Sequence, residues 1–191
     1  IKDVDKNIPI LILAGHADSQ GLAGAGTPGE AVDKFGLNPM HPEISDELFW
    51  NLKLQESIVK IGKKKGLNIR SYDPEIRNID DANDPRTNWS VGKKFAKSGG
   101  YAIEIHFDAY GKYGIGSGLI PPFSVTPNKV DESIARRFGL DCDLDLPKYV
   151  DQMGVDVHIS IYCWYVLYIR LTSMTLRVLS HVCIRRMPVP L

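Results

Sequence analysis

Tyr101-Ala102-Ile103-Glu104-Ile105-His106-Phe107-Asp108 is the stretch on which the reading of the chain turns. Tyr101, Ile103, Ile105 and Phe107 alternate with Ala102, Glu104, His106 and Asp108. That is the period of a β-strand with one apolar face and one face carrying ionisable groups. Successive strand side chains point to opposite sides, so Glu104 and His106 share a face. The strand runs out into Tyr110-Gly111 and so delivers its His and Asp to the rim of a sheet. In open α/β sheets, ligands gather at the rim formed by the carboxyl ends of the strands. A half-buried strand with a merely polar outer face has the same pattern.

Upstream, Ile8-Pro9-Ile10-Leu11-Ile12-Leu13 is a continuous apolar run, as expected of a strand buried on both faces. It ends at Ala14-Gly15-His16, so His16 sits where a first strand meets its loop, the same kind of position as His106. Residues 21–42 hold five glycines and three prolines and read as a long loop, which also contains Glu30 and His41. Ser45-Asp46 opens a helix, with a capping side chain and acids at the positive end of the dipole. Trp50, Leu54, Ile58 and Ile61 form an apolar stripe along it, and Lys63-Lys64-Lys65-Gly66 ends it. Glu47 lies on the same stripe, where a carboxylate needs a partner; a first-turn Glu that serves the dipole and reaches water explains it equally. Leu67-Asn68-Ile69-Arg70-Ser71-Tyr72 reads as a second strand, and residues 87–98 as a helix with Trp89 and Phe95 inward. Strand, helix, strand is the α/β pattern with a parallel sheet. Gly118-Leu119-Ile120 suits a further strand, and residues 128–138 a further helix.

The chain of 191 residues has length for one domain with a sizeable core, and 43% apolar with 24% charged residues is ordinary for a globular protein. Lys plus Arg equals Asp plus Glu, so no global charge argues for a nucleic-acid partner. No apolar run is long enough for a transmembrane helix. Cys142, Cys163 and Cys183 lack the spacing of a zinc knuckle or a disulfide framework. Residues 1–156 read as one domain. Residues 157–191 contain no Asp or Glu and read as an atypical tail, which either completes the sheet or is foreign to the fold. The polar start at Ile1 is not a signal peptide, although one can have been removed ahead of it.

His16 after the first strand, Glu47 at a helix start and His106 at the end of a later strand all end elements that can meet at one rim. Two imidazoles and a carboxylate are a common open catalytic zinc set, with a fourth position left for water. Asp108 or Tyr110 can orient one of those ligands from behind.

Here the chain resembles a family. Ile12-Leu13-Ala14-Gly15-His16-Ala17-Asp18 looks like the first zinc motif of the zinc-dependent N-acetylmuramoyl-L-alanine amidases. Glu47-Leu48-Phe49-Trp50-Asn51-Leu52 looks like their second motif, and Ile103-Glu104-Ile105-His106-Phe107-Asp108-Ala109 like their third. Gly116-Ser117-Gly118-Leu119-Ile120, then Ser133-Ile134-Ala135-Arg136-Arg137-Phe138, follow the family's later strand and helix. The resemblance implies a single α/β domain whose mixed, mainly parallel, twisted sheet is flanked by helices on both faces. It implies zinc on His16, Glu47 and His106, with peptidoglycan as partner and its muramoyl-L-alanine amide as substrate. It also implies work at the cell wall, as a secreted, periplasmic or phage-lysin protein.

Two departures stand out. Glu104 takes the place of the family's usual Ser; on the face of His106 it can approach the metal, serve as the catalytic base, or form a structural pair. The family's late catalytic Glu has no counterpart, because no Glu follows Glu132. The alternatives are a zinc- and peptidoglycan-binding module with impaired catalysis, and another zinc hydrolase such as a peptidase or deacetylase.

Overall fold

The computed structural model describes residues 6–23, 25–108, 118–120 and 165–170; for Glu30, Asp108 and the last two segments it describes the backbone alone. The expected helix over residues 128–138, the glycine-rich run 109–117 and the tail apart from 165–170 lie outside the described residues. The protein is α/β. Its elements run β1 (Ile10–Ala14), α1 (Glu30–Phe35), α2 (Asp46–Lys64), β2 (Ile69–Tyr72), α3 (Asn88–Lys97), β3 (Tyr101–Asp108), β4 (Gly118–Ile120) and β5 (Tyr165–Arg170).

The strands form one sheet in the order β2-β1-β3-β5-β4. β1 pairs in parallel with β2 and β3, β3 pairs in parallel with β5, and β4 is antiparallel to β5. The sheet is therefore mixed and mainly parallel. β1 lies between β2 and β3, and the chain moves from it to β2 on one side before crossing to β3 on the other. The carboxyl ends of β1 and β3 flank the point where strand order reverses, and crevices for ligands form there in doubly wound sheets.

Alternation along β1 builds two cores. Ile12, with Ile69, Ile105 and Phe107, packs under Trp50, Leu54, Ile58 and Val59 of α2. Leu11, Leu13 and Ala102 face the other way, against Trp89, Val91 and Phe95 of α3. Leu11, Ile12, Leu13 and Ile105 are at most 1% exposed. Each such side chain contributes about 1.5–3 kcal/mol of apolar burial.

Two details differ from the sequence reading. Residues 21–42 are not all loop, because α1 lies within them and closes on Gly36 in the left-handed conformation. Six residues are too few to show a helical period, and Phe35 is 69% exposed, so no apolar stripe marks α1. On α2, the deepest line is not Trp50-Leu54-Ile58-Ile61 but Glu47, Leu48, Asn51, Gln55, Val59 and Gly62. The expected stripe is its half-buried shoulder. The line is polar because α2 crosses strand ends whose carbonyls need donors. Asn51 Nδ2 donates to Gly15 O at 2.9 Å, and Gln55 Nε2 donates to Ile12 O and Tyr72 O, each at 2.9 Å.

Candidate metal centre

The site starts at Gly15. Its N–H donates to Ile105 O at 2.7 Å, which extends the β1–β3 pairing by one residue. A Cβ at Gly15 would overlap the His106 imidazole, so glycine here gives that ring a flat floor. The chain then turns sharply, and His16 takes φ 62. An L-residue in this region stores strain of about 1–3 kcal/mol, and such strain persists where the surroundings hold it. Gln20 Nε2 donates to His16 O at 2.9 Å, and Ala17 N to Ala14 O at 3.2 Å. His16 Nδ1 lies 3.5 Å from Ser19 Oγ, which leaves Nε2 turned inward.

Glu47 arrives on the first turn of α2. Ser45 caps this helix by accepting the Leu48 N–H at 3.3 Å. The loop before it satisfies two further first-turn amides, with Pro28 O accepting from Asp46 N and Thr27 O from Glu47 N, each at 3.2 Å. The Thr27 N–H in turn donates to Glu47 Oε2 at 2.6 Å. Oε1 is left facing the histidines, 3.5 Å from His16 Nε2 and 3.3 Å from His106 Nδ1. The two imidazoles meet edge to face, with centroids 4.7 Å apart and planes at 86°.

One donor atom each from His16, Glu47 and His106 lies within 4.8 Å of the others, so the three side chains can hold a metal ion. With bonds of about 2.0–2.2 Å to nitrogen and oxygen, a tetrahedral ion of zinc's size has ligand–ligand edges of about 3.3–3.5 Å. The two contacts of Glu47 Oε1 already have that length. The Glu47 and His106 side chains are 3% and 8% exposed and His16 25%, so the approach from solvent is on the His16 side.

The electrostatics suit a cation. Burial, with His106 beside it, pulls the His16 imidazole below its usual range and favours the neutral form. Burial works against an ionised Glu47, but the His106 hydrogen bond and the electrostatic influence of the His16 imidazole outweigh it and hold the carboxyl below its usual range. Burial also works against a charged His106, yet the Glu104 and Glu47 carboxylates on either side of the ring push it up to about 10 without a metal.

Other polar residues of the chain fall as follows. Glu104 is 8% exposed; its Oε1 accepts from Asn88 Nδ2 at 2.9 Å and its Oε2 lies 3.6 Å from His106 Nε2. Asn51 is buried and holds the Gly15 carbonyl, one residue ahead of His16. Asp108 closes β3, and its side chain lies outside the described residues. His41 is not in the group; its Nδ1 accepts from Glu43 N, and it lines a groove of about 470 Å³ with Phe49, Leu52, Lys53 and Arg77. His158 and His181 lie outside the described residues. Arg86 is paired with Asp84 at 2.6 Å on the surface.

Sequence reasoning passed over Asn88 and Thr27. Asn88 stands behind Glu104, and its one signal is its position just after Thr87, the capping residue of α3. Thr27, in the glycine-rich loop, holds Glu47 through a backbone amide, which no side-chain pattern announces. No helix among the described residues is long and apolar enough to cross a membrane. No protein-family model matches the chain, and no curated protein or solved structure matches it either.

Proposed function

We propose that the chain is a zinc hydrolase of peptidoglycan that cuts the amide between N-acetylmuramic acid and L-alanine, at the cell wall. The observation that carries the reading is the meeting of His16 Nε2, Glu47 Oε1 and His106 Nδ1 at one point on the sheet rim. Two nitrogens and one carboxylate favour zinc over magnesium or calcium, which take oxygen ligands. The substrate class rests on the likeness of residues 8–138 to the zinc-dependent amidases.

In this reading His16, Glu47 and His106 hold the ion, and Gly15 and Asn51 fix the turn that presents His16. The chemistry that zinc supplies at such a site is polarisation of a carbonyl and acidification of water. Water adds to the lactyl carbonyl carbon, the C–N bond breaks, and the nitrogen leaves on L-alanine with a proton.

The test is digestion of purified peptidoglycan by protein loaded with zinc. New L-alanine amino termini, without new reducing sugars and abolished by a chelator, are the expected result. New reducing ends, or amino termini from cross-bridge residues, overturn the substrate assignment.

A second reading is favoured by the lack of any Glu after Glu132. It is a module that binds zinc and peptidoglycan without cutting. One equivalent of zinc, co-sedimentation with peptidoglycan and no released fragments would select it.

A further inference from the structure

Behind the three ligands, a line of buried polar groups ends on His106. Asn88, 2% exposed, opens α3. Its backbone N–H donates to Asp18 Oδ2 at 2.7 Å, and its Nδ2 donates both to Ala14 O at 2.7 Å and to Glu104 Oε1 at 2.9 Å. The orientation of this amide is fixed by its partners: the two groups facing Nδ2 are both acceptors, so the flipped amide would set oxygen against oxygen. Its Oδ1 is buried with no hydrogen-bond partner, which is the cost of that orientation. Glu104 is therefore held by one oxygen, and its other, Oε2, lies 3.6 Å from His106 Nε2. A small tilt of the ring closes that gap to a hydrogen bond. On the far side of the same ring, Nδ1 faces Glu47 Oε1 at 3.3 Å.

We propose that Glu104, held by Asn88, is the positioning residue for His106. It accepts the Nε2–H and so keeps the Nδ1 lone pair aimed at the divalent ion. The inference deepens the zinc reading and rests on it. It also replaces the sequence expectation that Glu104 is the catalytic base. A base needs an oxygen turned toward the reacting water, whereas Oε1 is engaged by Asn88 and Oε2 faces the ring nitrogen that points away from Glu47. Glu104 is not a member of the His16-Glu47-His106 group. A histidine that binds metal ordinarily gives its other N–H to a carboxylate, carbonyl or water, which sets the tautomer and the ring angle. Glycine at position 15 is the other half of the device, because it gives the ring a floor and leaves its rotation to Glu104.

The test uses the full chain and Zn²⁺ alone. Zinc affinity is measured by chelator competition for the wild type, Glu104→Gln, Asn88→Ala and His16→Ala. The protonated ring nitrogen of His106 is read from the imidazole ¹⁵N shifts of the zinc-loaded wild type. A glutamine has one acceptor oxygen for two donors, so Glu104→Gln is expected to weaken zinc binding about 10–100-fold. Asn88→Ala is expected to weaken it less, and the proton is expected on Nε2. Unchanged affinity in Glu104→Gln, or a proton on Nδ1, overturns the inference while the zinc site stands. So does a variant that binds zinc like the wild type yet turns over peptidoglycan far more slowly, the signature of a base. If the wild type binds no zinc, or His16→Ala binds it as well, the metal reading fails and the inference falls with it. Should Glu104→Gln not fold, the tautomer in the wild type decides alone.

Discussion

Glu47 is a carboxylate almost wholly removed from water, and it stays ionised because two imidazoles and the Thr27 amide face it. A divalent ion replaces protons in such a cluster. In the metal-free protein the folded pKa of His106 is about 10, above the 6.5 of an unperturbed imidazole. Its contribution to stability is complete below the unfolded value, declines as pH rises between the two, and is gone above the folded value. The urea midpoint of the chelated protein is therefore expected to fall from about pH 7 to about pH 9, and His106→Gln is expected to remove that fall. Zinc affinity moves the opposite way across the same window, rising with pH, because the metal takes the neutral ring. Gly15→Ala drives a Cβ into the His106 ring. Overpacking of that kind costs about 1–3 kcal/mol in urea unfolding, and weaker zinc binding is expected with it. At this scale His16, Glu47 and His106 could be named from sequence, because each lies near the end of an element and in a stretch that resembles a zinc motif. Asn88 and Thr27 could not, since their partners are far along the chain or belong to the backbone.

The elements show where periodicity is an incomplete guide. Helix α2 was legible as a helix, with Ser45 at its start and lysines at its end. Its apolar stripe pointed about one residue to the side of the true contact line. Asn51 and Gln55 occupy that line because strand-end carbonyls lie beneath it. A hydrophobicity pattern counts such amides as surface, yet burial of a satisfied amide costs little. Asn51→Leu strips the Gly15 carbonyl of its donor, and a loss of about 1–3 kcal/mol is expected in chemical denaturation. Because that carbonyl precedes His16, zinc affinity is expected to drop in the same variant. Ser45→Ala removes the cap alone, costs about 1 kcal/mol, and leaves zinc affinity nearly unchanged.

At the scale of the whole molecule, the site ties together three parts of the chain, because the turn after β1, the first turn of α2 and β3 each contribute one ligand. An ion held by all three stabilises the fold by mass action, about 2.7 kcal/mol at a hundredfold excess of zinc over Kd. The melting temperature is accordingly expected to rise with added zinc, to return to the metal-free value on chelation, and to be insensitive to zinc in His16→Ala. The sequence by itself determined the α/β class and the parallel strand-helix-strand pattern, because alternation, capping and the ends of apolar runs are local properties of the chain, and it singled out the three side chains through their likeness to known zinc motifs. Only the tertiary structure decided that β1 lies between β2 and β3, that Glu47 from one face of the sheet reaches His106 across Gly15, and that Glu104 turns toward Asn88 and the back of the ring. Those outcomes depend on strand order, on the missing Cβ at one position and on which carbonyls lack donors, and each is settled by residues distant in the chain.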